Sequence, residues 1–239
     1  MINDSDDQTR KYAGTDELEA MRFAKNYNQM LVDLIVPEIK KNNANTIVDF
    51  GSGNGYLSDL VSKQCNKKID CVEIAENFFA NYKNKDNLFL HNSLEDLPDN
   101  SIDFIYSSNV LEHIENDVAI VRLFGRKLKN NGVLLLYLPA FSCLYSSMDK
   151  KVGHFRRYNK NMLQDLLKNQ FDVSKLEYVD FGGFWITLLY KLLGSKNGDI
   201  NKLSLIIFDR VIFPLGRLID KLTQGKICGK NVLTIARKR

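Results

Sequence analysis

The stretch Thr46-Ile47-Val48-Asp49-Phe50-Gly51-Ser52-Gly53-Asn54-Gly55 constrains the fold more than any other part of the sequence. A β-branched run that ends in glycines at alternate positions, followed by a helical pattern through Leu57, Leu60 and Val61, reads as a strand turning tightly into a helix. Glycine at such a turn permits positive φ and lets backbone N–H groups and a helix N-terminus approach a ligand without interference from Cβ. The alternation recurs: Ile69 to Glu73 then Ala75 to Tyr82, Leu88 to Leu90 then a loop, Ile102 to Ser107 then Asp117 to Lys129, and Val133 to Leu138 then Asn159 to Asn169. Strands alternating with helices predict a parallel, doubly wound α/β sheet.

The flanks break this rhythm. Leu18, Met21, Phe23, Tyr27, Leu31, Leu34, Ile35 and Ile39 approximate a 3.6-residue period, so residues 15–41 are expected to form one leading amphipathic helix. A strand is expected over 173–181, a mostly helical stretch over 182–223, and a last strand in NVLTIAR, Asn231 to Arg237. The chain then reads as a single domain of 239 residues: an N-terminal helical segment to 45, a core over 46–181, a helical insertion over 182–230 and the last strand over 231–239. The insertion exceeds the usual connection of about 4–6 residues. It reads either as a lid or as helices covering the sheet edge.

Two stretches of the insertion, Phe184 to Leu193 and Leu203 to Leu215, are apolar on most faces, yet Lys191 and Asp209-Arg210 interrupt them before either could span a membrane. Such helices pack together in the core, wall an apolar acceptor pocket, or rest on an anionic membrane surface beside Lys191, Lys196, Lys202, Arg210 and Arg217. A net charge of +4, from 33 basic against 29 acidic residues interspersed along the chain, gives no nucleic-acid footprint. Cys65, Cys71, Cys143 and Cys228 form no C-x-x-C pair and read as free thiols of a reducing compartment. The opening MINDSDDQTR lacks the basic and apolar regions of a secretory leader, so a cytoplasmic location is expected, with peripheral contact at the inner membrane face as a further reading.

Two acids qualify the glycine turn. Asp49 ends the first strand, and Glu73 ends the second about twenty residues on, where a carboxylate can accept both hydroxyls of a ribose. Tyr56 follows Gly55, so the third glycine comes one residue early for the dinucleotide G-x-G-x-x-G, and the lysine and Ser/Thr of a phosphate-binding loop are missing. A nucleoside-bearing cofactor without a pyrophosphate fits best. A nicotinamide-dependent oxidoreductase and a non-catalytic binding module on the same fold are the rival readings.

TIVDFGSGNGYLSDL, then IDCVEI, NSLEDLPDNSIDFIYSSNVLEHI and KLKNNGVLLLYLP, in this order over residues 46–139, resemble the class I S-adenosylmethionine-dependent methyltransferases of the type 11/type 12 group. The resemblance implies a Rossmann-like seven-stranded sheet with an antiparallel last strand, and S-adenosyl-L-methionine as cofactor. It places Gly51, Ser52 and Gly53 around the methionine moiety, with Asp49 fixing the turn, Glu73 on the ribose hydroxyls and Ile74 on adenine. Ser93 stands where the family's usual acid would meet the adenine amino group, with the Leu94 N–H toward a ring nitrogen, and Asn109 and Val110 face the methionine end.

Methyl transfer from a sulfonium is an in-line displacement, so alignment does most of the work and a base is needed only where the acceptor must lose a proton. His113 and His154 follow the fourth and fifth strands and are the catalytic candidates. The loop from Ala140 to Tyr158 holds Asp149, Lys150, Lys151, His154, Arg156 and Arg157. Paired guanidiniums suit a phosphate or carboxylate, so Arg156, Arg157 and Tyr158 are expected to contact the acceptor. The string D-x-x-x-G-H-x-R-R-Y also resembles bacterial methyltransferases of sugar, lipid and envelope biosynthesis. The expected reaction is O-methylation of a small-molecule, sugar or lipid-linked acceptor. With no N-P-P-Y-type tetrad at Ser108-Asn109-Val110-Leu111, nucleic acid is not expected as substrate. His91 has no Cys or His at ligand spacing and the three histidines lie far apart, so no metal site is expected. Ser52 is not in a G-x-S-x-G elbow, which leaves hydrolase chemistry without its motif.

Overall fold

The computed structural model describes residues 14–192 and 202–239. The acidic opening stretch, Leu193 and Lys196, and the side chain of Lys202, lie outside what is described. The strands are β1 (Ile47–Phe50), β2 (Ile69–Val72), β3 (Leu88–His91), β4 (Ile102–Ser108), β5 (Leu128–Pro139), β6 (Phe171–Val179) and β7 (Asn231–Lys238). The α-helices are α1 (Thr15–Met21), α2 (Lys25–Lys41), α3 (Tyr56–Cys65), α4 (Asp117–Lys127), α5 (Ser147–Lys151), α6 (Lys160–Leu167), α7 (Phe181–Leu192), α8 (Lys202–Ile207) and α9 (Phe213–Thr223).

The strands form one seven-stranded sheet in the order β3-β2-β1-β4-β5-β7-β6. β1 to β5 pair in parallel, and β7 runs antiparallel to both β5 and β6. Alternate residues of the central strands go to opposite faces, both of them dry. Ile47, Phe104, Leu135 and Tyr137 meet α2 through Met30, Ile35 and Ile39 on one side. Val48, Ile105, Leu134 and Leu136 meet Phe124 of α4 and Leu163 and Leu167 of α6 on the other.

The expected leading helix is two helices, interrupted at residues 22–24. The second has a capping partner far away in sequence: Asp209 is buried and accepts from the Asn26 N–H through Oδ2 (3.0 Å) and the Tyr27 N–H through Oδ1 (2.9 Å). A carboxylate on those orphan donors satisfies them and complements the helix dipole. Other boundaries shift too. Residues 76–82 wind as a tight 3₁₀ turn rather than an α-helix, α4 stops at Lys127 because β5 begins at Leu128, and β6 spans 171–179 rather than 173–181.

The insertion between β6 and β7 is tied into the body. Asp180 turns the chain at φ 69° and caps α7 by accepting from the Gly183 N–H (2.8 Å). Asp220 of α9 accepts from the backbone N–H groups of Asp180 (3.0 Å) and Phe181 (3.1 Å). α7 and α9 cross where Gly182 and Gly216 touch: a Cβ on Gly216 would lie 2.7 Å from the Gly182 nitrogen. Val179 and Pro139 both pair with Asn231, so the insertion leaves and re-enters the sheet at the carboxyl edge of the parallel strands, where open α/β sheets bind ligands. Among the described residues, no helix is long and apolar enough to cross a membrane.

Candidate cofactor and acceptor site

The turn after β1 is built from backbone geometry. Gly51, Gly53 and Gly55 have φ of 76°, 55° and 69°, a region L side chains rarely enter. Each also lies under a close neighbour. A Cβ would meet Val110 at 2.3 Å from Gly51, Leu18 of α1 at 2.7 Å from Gly53, and Tyr82 at 2.9 Å from Gly55. Tyr82 donates to the Gly53 carbonyl (2.8 Å) and shares a hydrogen bond with the Ser52 hydroxyl (2.8 Å). Lys85 donates to the Gly55 carbonyl (3.0 Å). In the sequence Leu18 and Tyr82 read only as helix positions and Lys85 has no role, because all three reach the turn from other elements.

The two acids beneath the turn play different parts. Asp49 is buried and accepts from Ser58 Oγ of α3 (2.6 Å), and burial pushes its pKa up to about 7. Glu73 is also buried. Its Oε2 accepts from the Gly53 N–H (2.6 Å) and its Oε1 from the N–H groups of Ile74 (2.9 Å) and Ala75 (2.8 Å). It therefore clamps the end of β2 to the glycine turn, with Ile74 exposed beside it. Ser93 caps the short turn Leu94–Asp96, its hydroxyl accepting from the Glu95 N–H (3.1 Å), while Leu94 is buried. His91 pairs with Asp70 (2.8 Å). Asn109, at φ 54°, turns toward β7 and accepts from Asn231 (3.0 Å), so Val110 rather than Asn109 packs on the glycines.

The loop after β5 returns to β4. His113 and His154, 41 positions apart (154 − 113), stack edge to face with ring centres 4.5 Å apart. His154 Nδ1 lies 2.7 Å from Asp149 Oδ1, and Nε2 lies 3.8 Å from Glu112 Oε1. Burial, then the neighbouring His154, pushes the His113 pKa down to about 4. Burial pushes Glu112 up to about 8; its carboxylate is fully buried with no hydrogen-bond partner on either oxygen. Against the effect of burial, bonds from His154 and Arg157 hold Asp149 well below the ordinary carboxylate range. The wide spacing that argued against a histidine cluster is a property of the sequence only. Glu112, which lies between two residues of the LEHI segment, gave no signal of its own.

Arg156, Arg157 and Tyr158, expected as acceptor contacts, are each engaged by partners within the protein. Arg157 is buried and grips Asp149 with two nitrogens (2.8 and 3.0 Å), its third donating to the Ala140 carbonyl (3.3 Å). Arg156 binds the carbonyls of Ile114 (2.8 Å) and Glu115 (2.7 Å) and pairs with Asp117 (3.0 Å). The buried Tyr158 donates to Asp117 (2.9 Å). Arg157 fixes the loop on itself, and Arg156 and Tyr158 fix it against α4 and the segment that follows β4. Beside it, Tyr145, Ser146, Ser147, Lys150, Tyr190 and Lys191 line a cavity of about 320 Å³ between the loop and α7. Lys151 reaches Glu17 of α1 (2.8 Å), which joins the loop to the helix over Gly53.

The strand–glycine turn–helix, with Asp49 in β1 and Glu73 just after β2 in a sheet of this order, has the Rossmann-like architecture of methyltransferase folds. Residues 48–136 match the type 11 family model described as Methyltransferase domain, which with the curated relatives supports a class I S-adenosylmethionine-dependent methyltransferase and S-adenosyl-L-methionine as cofactor. A "Probable S-adenosylmethionine-dependent methyltransferase" of Mycobacterium tuberculosis is 27% identical over 130 residues, which cover 52% of this chain and 47% of that one. The chain thus spans about half the length of the curated relatives it matches. Two solved structures share the fold: the [4+2]-cyclase SpnF (TM-score 0.60, 18% identity, 87% of this chain and 80% of that one) and an S-adenosylmethionine-dependent methyltransferase of Archaeoglobus fulgidus (0.55, 19%, 87% and 94%). That a cyclase stands among them shows why the reaction has to be argued from the site.

Proposed function

We propose that the chain transfers the methyl group of S-adenosylmethionine to a hydroxyl of a small-molecule, sugar or lipid-linked acceptor. One juxtaposition carries this reading. Val110 packs on the glycine turn, and Glu112 and His113 follow it within three residues, so the cofactor turn and the imidazole pair share the carboxyl ends of the adjacent strands β1 and β4. Gly51, Ser52 and Gly53 receive the methionine end, Glu73 the ribose hydroxyls, and Ile74, Ser93 and Leu94 the adenine. The acceptor enters from the cavity beside α7, and its hydroxyl proton leaves on the side of His113 and His154. Arg156, Arg157 and Tyr158 act as positioning residues through Asp149 and Asp117.

The lipid-linked form of the acceptor draws support from the insertion. Trp185, Leu189 and Leu192 of α7 are exposed, as are Leu215, Leu218 and Leu222 of α9, with Lys191, Arg217 and Lys221 among them. Apolar stripes with basic neighbours suit peripheral contact with an anionic membrane.

Calorimetry with S-adenosylmethionine tests the cofactor half. Glu73→Ala is expected to weaken binding by about 1–3 kcal/mol, since a buried ribose loses charge-assisted hydrogen bonds. Unchanged affinity would remove Glu73 from the site. Replacing Arg156 and Arg157 by alanine is expected to lower turnover with the cofactor Kd unchanged.

A further inference from the structure

We propose that Glu112, His113 and His154 bind a divalent transition-metal cation, of the zinc, cobalt and manganese class, on the acceptor side of the site. The inference deepens the methyl-transfer reading and rests on it only for what the cation does. Binding itself rests on the side chains.

The first observation is the carboxylate. Glu112 is fully buried, and neither of its oxygens has a hydrogen-bond partner. A carboxyl group taken out of water without partners is costly, and buried groups left unpaired are rare enough to need a reason. An ion held against those oxygens supplies one. Its surroundings are not purely apolar, for His154 Nε2 lies 3.8 Å from Oε1 and a ring nitrogen of His113 comes within 4.8 Å of the carboxylate.

The second observation is the donor set. One ligand atom from each of Glu112, His113 and His154 lies within 4.8 Å of the others. A cation about 2.1 Å from each of three tetrahedral donors needs separations of about 3.4 Å, so small side-chain rotations close the set. Two imidazoles and one carboxylate suit zinc and its first-row neighbours, whereas calcium and magnesium prefer all-oxygen shells. Three protein donors also leave a coordination position open, the arrangement of catalytic rather than structural zinc sites.

The third observation is the support behind the histidines. Asp149 accepts from His154 Nδ1 (2.7 Å), which leaves Nε2 directed at Glu112, and Arg157 fixes Asp149 with two bonds (2.8 and 3.0 Å). A carboxylate behind a histidine sets its tautomer and ring orientation for metal binding. The Arg157–Asp149–His154 chain therefore has a purpose without touching an acceptor.

Glu112 and His113 follow Val110, which packs on Gly51, so an acceptor held by the cation would lie at the cofactor end of the site. An acceptor hydroxyl on the cation is acidified, as bound water is. The O–H bond then releases its proton to solvent, the oxygen–carbon bond forms as the sulfur–methyl bond breaks, and the electron pair stays on sulfur. The sulfonium becomes the neutral thioether of S-adenosylhomocysteine, and the cation is unchanged.

Cobalt(II) titration of the chelator-stripped full chain, followed by visible absorption and calorimetry, tests the site. One equivalent is expected to bind, with ligand-field bands but no thiolate charge-transfer band, so that Cys143 and Cys228 are excluded as donors. Glu112→Gln and His154→Gln are each expected to weaken binding by more than the about 10–100-fold that an outer-sphere change costs, and Asp149→Asn by about that amount. His91→Asn is expected to bind as the native chain does. Circular dichroism checks each fold, and if Glu112→Gln does not fold, His154→Gln gives the same reading. Absence of saturable cobalt binding by the native chain, or equal binding by the folded variants, overturns the proposal. Calorimetry with S-adenosylmethionine on the same metal-free protein separates the two readings: cofactor binding without cobalt binding removes the cation alone, and loss of cofactor binding removes the methyl-transfer reading.

Discussion

The glycine turn and the helical insertion are two ends of one ligand edge, constructed in opposite ways. At the turn, backbone conformation is the device: Gly51, Gly53 and Gly55 hold positive φ under Val110, Leu18 and Tyr82. In the insertion, side-chain carboxylates are the device: Asp209 and Asp220 each cap a helix that lies elsewhere in the chain, α2 and α7. A backbone device is written locally and tolerates almost no change at its few positions. A side-chain device connects residues far apart, so its loss is felt as lost stability rather than as lost ligand geometry.

The contrast predicts the largest effect at Gly51. Gly51→Ala puts a Cβ into a positive-φ position with Val110 Cγ2 at 2.3 Å, for a cost of about 2–5 kcal/mol from the backbone and overpacking together. Chemical denaturation is expected to report that loss and calorimetry the disappearance of cofactor binding. Next comes Asp209→Ala, which strips the N-terminus of α2 of a buried charged acceptor and costs about 2–4 kcal/mol. Here the folded protein is expected to keep its cofactor Kd. A Kd that shifts along with stability would show that the two regions are one unit.

The same contrast explains what the sequence revealed. The alternation of strands and helices, the glycine turn and Glu73 are legible because period, β-branching and glycine spacing act over a few residues. The break in the leading helix at 22–24 is not, because Asp209, which caps the second half, sits 183 positions away from Asn26. Nor is the tie between Asp149, His154 and Arg157: the charges are evident in the 140–158 loop, but the burial of Asp149 and Arg157, which turns that arginine inward, is a tertiary fact. Glu112 was hidden for a further reason. An acid in a strand-end loop reads as solvated until the fold closes over it.

A smaller effect is expected from pH. Burial, only partly offset by Lys230, raises the Asp180 carboxyl from 3.8 to about 6. The folded chain then holds this proton more tightly than the unfolded one, so the favourable contribution is complete below about pH 4 and is lost as pH rises toward about 6. Some two pH units correspond to at most about 3 kcal/mol. Asp180→Asn keeps an oxygen for the Gly183 N–H and suits the left-handed φ of 69°. Urea melts across pH 4–6 are expected to show a shallower fall for this variant, and an identical slope would mean that Asp180 is ionised throughout. The readout is the slope, because removing the charge also changes the field at the buried Lys230.

The smallest effect on stability, and the sharpest separation of the two regions, is expected at the exposed stripe of α9. Leu215, Leu218 and Leu222 are 64%, 58% and 76% exposed and recur at helical spacing, so they contribute little to the core. Changing all three to glutamine, a good helix former, is expected to alter stability by no more than about 0.5 kcal/mol per site and to leave cofactor affinity unchanged. Co-sedimentation with vesicles rich in anionic lipid is where the variant should differ. The native chain is expected to bind at low salt, through the apolar stripe and through Arg217 and Lys221, and to release as salt screens the basic groups. The triple variant should stay in solution at every salt concentration. If the native chain also stays in solution at low salt, the stripe has no membrane role and the insertion serves the acceptor pocket alone. If the variant loses stability instead, α9 is part of the core and the division between a backbone-built and a side-chain-built half would have to be drawn further out.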